Sequence, residues 1–169
     1  MRTRFDDVER RVWSPLRYAT FETSVLPFET MRLVGALAPH GDDRIGSFVA
    51  DAVAYCNRHL DRARELDESV AKKGAAKASS KKTLPARLDS ECLRWAAFRC
   101  FSTLCAVPRS GTFMAKFTSS IMKRVADEFS LSHQCYEGRR LCEEALSCLT
   151  VVYVTMLDYS IEQHRELNR

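Results

Sequence analysis

The stretch "DDRIGSFVADAVAYCNRHLDRARELDES", Asp42 to Ser69, decides the fold. Ile45, Phe48, Val49, Ala52, Val53, Cys56, Leu60 and Ala63, with Leu66 at the end of the row, recur at intervals of three and four, the spacing that puts side chains on one face of an α-helix. Asp42 or Asp43 supplies an N-terminal cap. Beyond His59 the intervening positions become heavily charged, and the helix is expected to run out into solvent there.

Outward from this helix the same periodicity continues in both directions. Upstream, Phe5, Val8, Val12 and Leu16 form a helical stripe interrupted at Ser14 and Pro15. "LPFETMRLVGALAPHG" is a short helix with Pro27 near its start, stopped by Pro39 and Gly41. Downstream, "ECLRWAAFRCFSTLCAV" is apolar on nearly every face and is capped by Asp89 or Ser90. "GTFMAKFTSSIMKRVADEFS" follows, with Met114, Phe117, Ile121, Val125 and Phe129 as its buried stripe. A last helix starts near Ser132 and runs toward Leu167. Its middle, "ALSCLTVVYVTMLDY", is again apolar all round, which marks a central helix. The β-branched run "TVVYVT" has strand propensity, but nothing elsewhere in the chain would pair with it.

The pattern predicts an all-α protein: one compact, bundle-like domain of about six helices. Residues 1–69 form one helical half and 88–169 the other, sharing a single core. Residues 70–87 are expected to be a long, mobile, basic crossover. That tract carries five Lys, one Arg and no acid, whereas the segments on either side sum to −2 and 0. The whole net charge of +4 is therefore concentrated in it. With a near-neutral folded part, a broad basic face of the nucleic-acid-binding type is not expected. At 169 residues the chain should bury about 70% of its unfolded surface, enough for a self-standing core.

Seven cysteines, an odd number without a CxxC pair, lie mostly in apolar helical stretches. They are expected as free thiols of an intracellular reducing compartment, cytoplasmic or nuclear, with a mitochondrial location left open. The first residues have acids and no apolar run, so no secretory signal is expected. The longest clean apolar run, Cys148 to Leu157, is about half of a membrane span.

The chain carries no recognisable catalytic, metal or cofactor signature. No Glu stands three residues before any of His40, His59, His133 or His164, so the di-iron bundle motif is absent. Cys56 with His59, and His133 with Cys135, share spacings that metal ligands use, but neither pair has further ligands nearby in sequence. Arg109, Ser110 and Gly111 open a helix without the following GK[ST] of a phosphate loop. No cofactor and no metal are expected.

Two features point to partners instead. From Val12 to Pro39 the chain is sparsely charged and aromatic-rich, with Trp13, Tyr18, Phe21 and Phe28 as candidate docking anchors. Lys72, Lys73, Lys77, Lys81 and Lys82 are candidates for charge-mediated contact. The leading expectation is a non-catalytic helical subunit or adaptor of a larger intracellular assembly, docking a protein partner through the aromatic segment. The rivals are weak, sequence-independent RNA or DNA binding through the lysines, and a helical enzyme whose site forms only in three dimensions.

Overall fold

The computed structural model describes residues 7–16, 25–38, 45–74, 83–106, 113–135 and 139–168. The described residues form six helices and no strand. Helix α1 spans 7–16, α2 Val25–Leu37, α3 Ile45–Gly74, α4 Thr83–Ala106, α5 Thr118–Cys135 and α6 Arg139–Leu167. A 3₁₀ turn, Ala115–Phe117, leads into α5.

The expected all-α bundle is what the chain forms. Helices α3 and α4 make the most extensive contact, α6 packs on both α4 and α5, and α2 lies against α4. The core is built from the predicted stripes: Phe48, Leu60, Phe98, Phe101, Leu104, Met114, Ile121 and Val125 are all at most 1% exposed. Leu131–Ser132 and the "TVVYVT" run are both helical.

Four details differ from the sequence expectation, each for a local reason. In α1 the turn Glu9–Trp13 is π-helical, and the Ser14 N–H donates to the Glu9 carbonyl. The wider turn brings residues five apart onto one face. Trp13 is thereby buried, and Val12, which the regular stripe placed inward, is exposed.

Helix α3 does not run out into solvent after His59. Leu60, Ala63 and Val70 remain buried. The charges between them are consumed in a network with α4 and α5. Buried Glu128 of α5 accepts from Arg94 Nε at 2.8 Å and is paired with Arg64 and, at 3.2 Å, with Arg124 Nε. Arg94 also meets Asp67 Oδ2 at 2.6 Å, Arg124 donates to Asp61 Oδ1 at 2.7 Å, and buried Ser90 donates to Asp67 Oδ1 at 2.8 Å. Burial alone would lower the Arg94 pKa, but the hydrogen bond to Glu128 and the field of Asp67 outweigh it and raise it.

The crossover is shorter than predicted. Helix α3 continues to Gly74, with Val70 in the core, and α4 already begins at Thr83. Pro85 falls in the first turn of α4, where a missing N–H costs nothing. Only 75–82 of the expected tract lie outside the described helices.

Finally, α5 extends to Cys135 and α6 starts at Arg139, so the last helix begins seven residues later than Ser132. Ser132 lies within α5.

Candidate docking surface

The middle of helix α6, Ala145 to Tyr159, is apolar nearly all round, yet it is buried on one side only. Leu141, Ala145, Cys148 and Val152 face α4 and α5 and are fully or nearly fully covered. At 3.6 residues per turn, Leu146, Tyr153, Leu157 and Ile161 fall on the opposite side, with Val154 beside them. These five side chains are 40–54% exposed. The helix thus carries two apolar faces, one facing the core and one facing outward.

The outward face outlasts the inward one. Val152 is the last buried residue of α6. The helix then continues to Leu167, about 22 Å further at 1.5 Å per residue. An open groove of about 450 Å³ follows this end, lined by Leu157, Ser160, Ile161, His164, Arg165 and Asn168. Asp158, Glu162 and Glu166 recur every fourth residue along one flank of the face.

The two aromatic candidates that lie within the described residues, Trp13 and Phe28, are engaged within the fold. Trp13 is 0% exposed and packs edge-on against Phe48 and Tyr55, with ring centroids 5.7 and 5.4 Å away. Its indole is a core group. Phe28 stacks on Trp95 at 5.4 Å, and the Arg99 guanidinium sits 5.1 Å from the Trp95 ring centroid. Both rings are half-buried. Val25 and Leu26, at the start of α2, are exposed. Tyr18 and Phe21 lie outside the described residues. A smaller cleft of about 310 Å³ lies between α2 and α4, over Met31, Gly35, Trp95, Cys100 and Thr103.

Of the five lysines, Lys72 and Lys73 lie on α3 and the other three lie outside the described residues. Lys72 is exposed and pairs with Glu68 at 3.6 Å one turn earlier. The crossover lysines are therefore not one continuous loop.

Three buried thiols and one buried imidazole inside the bundle are held in their neutral forms. Cys56, Cys100, Cys105 and Cys148 are buried free thiols on α3, α4 and α6. Burial pushes Cys105 up to about 11 and Cys148 up to about 12, and Cys56 well above the usual thiol range. Burial, with the fields of Arg58 and Arg62, lowers His59 to about 4. Both ring nitrogens of His59 are buried without a hydrogen-bond partner. Cys56 and His59 stand on one face of α3 as their spacing implied, but no group of three or more His, Cys, Asp or Glu among the described residues is placed to hold a metal ion. Arg109, Ser110 and Gly111 lie outside the described residues, as do the side chains of His133 and Cys135.

The outward face of α6 escaped the sequence reading because an apolar-all-round pattern does not tell a doubly covered helix from a helix covered once. The signal that distinguishes them was present: charged residues Asp158, Glu162, Arg165 and Glu166 enter the last turns while the apolar spacing continues through Leu157 and Ile161.

Among the described residues, no helix is long and apolar enough to cross a membrane. No protein-family model, no curated protein and no solved structure matches the chain.

Proposed function

We propose that this chain is a non-catalytic helical subunit or adaptor that docks a protein partner through the outward face of α6. One observation carries the reading: Tyr153, Val154, Leu157 and Ile161 form an apolar row on a helix end that projects beyond its own core. The eleven residues from Leu157 to Leu167 are all exposed, and a helical stretch with no packing face is marginal in water, because nucleation is costly and tertiary contact supplies most helix stability. Val154, Thr155 and Ile161 weaken intrinsic helicity further, as β-branched residues do. A partner seated on this face would supply the missing contact, and its apolar side chains are the kind that anchor interfaces.

A second contact is supported by Val25 and Leu26, exposed at the start of α2 within the aromatic-rich segment. Tyr18 and Phe21 remain its candidate anchors, whereas Trp13 and Phe28 are engaged internally.

The test is co-purification from the native source. Leu157→Ser with Ile161→Ser removes the apolar row without touching the core, and unchanged chemical denaturation confirms that the fold is kept. Loss of the co-purifying partner with this variant, and its retention when Lys72 and Lys73 are changed to Ala, supports docking through α6. Retention with the α6 variant and loss with Tyr18→Ala and Phe21→Ala moves the contact to the N-terminal segment.

A further inference from the structure

We infer that the partner of the α6 face is an amphipathic helix with a basic flank. The inference rests on the docking reading above and adds the partner's chemistry.

The argument starts from the charge pattern of the projecting helix end. Asp158, Glu162 and Glu166 are spaced four apart, so each stands one turn from the next on the same side. Like charges at this spacing destabilise a helix. None of the three has an ion-pair partner among the described residues. The opposite flank of the same stretch, Met156, Ser160 and Gln163, carries no charge, and Arg165 is the only Lys or Arg from Tyr153 to Leu167. A continuous apolar row of Tyr153, Leu157 and Ile161 therefore runs beside an acidic stripe.

This is half of a helix-pair interface. In helix pairing the apolar seam supplies contact, and charges flanking the seam set partner choice. Lys or Arg side chains set between Asp158, Glu162 and Glu166 would relieve the repulsion within α6 and lay their methylene stems along the apolar row. An acidic partner would add to the repulsion. A second copy of this chain would bring the same acidic stripe to the pair and gain nothing from it.

The whole-chain charge makes the inference testable. The net charge is +4, so long-range attraction favours an acidic ligand. A preference for a basic ligand must then come from the local stripe. The probes are two fluorescently labelled helical peptides of about twenty residues with the same Leu seam, one with Lys and one with Glu at the flanking positions. Binding to the full chain is read by anisotropy at low salt.

The Lys peptide is expected to bind roughly tenfold more tightly than the Glu peptide, the sum of three modest exposed charge pairs. The preference should fade at about 0.5 M salt, where exposed charges are screened. Reversal of the stripe by D158K, E162K and E166K should reverse the preference, and L157S with I161S should weaken both peptides. Equal or tighter binding of the Glu peptide overturns the inference, as does Lys-peptide binding that ignores the charge reversal. A concentration-dependent dimer in sedimentation that is lost in L157S with I161S gives the face to a second copy and also overturns it. If neither peptide binds while the native partner still co-purifies through α6, the basic-flank inference fails and the docking reading stands.

Discussion

The Nε of Arg94, in the middle of α4, donates to Oε2 of Glu128, in α5, at 2.8 Å, with both side chains withdrawn from solvent. Glu128 also receives Arg64 from α3 and Arg124 from its own helix. One carboxylate thus ties together three helices at the end of the bundle where the apolar stripe of α3 thins out. Removing one partner of a buried pair leaves the other uncompensated, which costs about 3–5 kcal/mol. Glu128→Ala is expected to lose stability in that range by chemical denaturation. Arg94→Met should cost less, because the carboxylates it leaves behind keep Arg64, Arg124 and Ser90 as partners. Equal losses would mean that Arg94 and Glu128 act as an isolated pair.

That network also marks the limit of what the sequence could tell. Helix count and the stripes of α3 and α5 follow from apolar spacing alone, because a helix with one apolar face has one way to bury it, and Leu104 is buried because α4 is apolar on nearly every face. The charged positions Asp61, Arg64 and Asp67 carry no such instruction. Solvated and cross-linked charges look identical until the positions opposite them are known. Trp13 was misplaced for a related reason: a single π turn shifts the register by one residue, and periodicity assumes a constant turn. The outward row on α6 was legible as apolar residues but not as a surface, since the coverage of a helix depends on what its neighbours reach.

His59 makes stability depend on pH. Its imidazole is buried, lacks hydrogen bonds and has its pKa lowered to about 4 in the fold. In the unfolded chain it returns to about 6.5. Between these values the unfolded state binds the proton and the folded state does not. The stability contributed by neutral His59 is therefore complete above pH 6.5 and falls as the pH drops toward 4, by up to about 3 kcal/mol. His59→Phe should flatten this part of the profile. Denaturation midpoints of wild type and variant at pH 7.5, 6, 5 and 4.5 decide it; parallel profiles would show that His59 is hydrated in solution.

Two helical glycines separate by what lies over them. A Cβ on Gly46 would stand 2.8 Å from the Phe113 ring, whereas one on Gly35 would meet Thr103 at 3.2 Å. Alanine gains up to about 1 kcal/mol in helix propensity at Gly35, inside α2, and less at Gly46, the second residue of α3. At Gly46 the ring must be displaced, a change that typically costs about 1–3 kcal/mol. Gly46→Ala is expected to be destabilising and Gly35→Ala close to neutral, read as shifts in thermal midpoint. A stabilised Gly46→Ala would mean that Phe113 moves aside freely.

The thiols should react in the order of their burial. Cys92 is exposed and Cys142 partly so, whereas Cys56, Cys100, Cys105 and Cys148 are enclosed. Attack requires thiolate, and burial raises Cys105 to about 11 and Cys148 to about 12, so little is present at pH 8. Of the six thiols whose side chains are described, alkylation followed by peptide mass mapping is expected to label Cys92 first, despite a pKa that burial and the fields of Asp89 and Glu91 raise somewhat, then Cys142. The four enclosed thiols should follow only with unfolding. Early labelling of Cys100 would show that the α2–α4 cleft opens to reagent.

Trp13 separates a core role from a docking role. Its indole is fully enclosed against Phe48 and Tyr55, and its Nε1 hydrogen finds no acceptor. Truncation to Ala opens a large cavity and should cost about 3–5 kcal/mol. Phe is different: it keeps most of the ring contact and removes a buried donor that lacks an acceptor, which offsets part of the lost volume. Trp13→Phe removes fewer atoms and is therefore expected to cost clearly less than the about 3–5 kcal/mol of the Ala variant. Neither variant should alter binding of a partner at α6 once the fraction of folded protein is matched. Denaturation curves for both variants, with peptide affinity measured on the folded protein, test the two roles together. If Trp13→Ala leaves stability unchanged and weakens the partner, the indole is an anchor after all and α1 lifts from α3 in the complex.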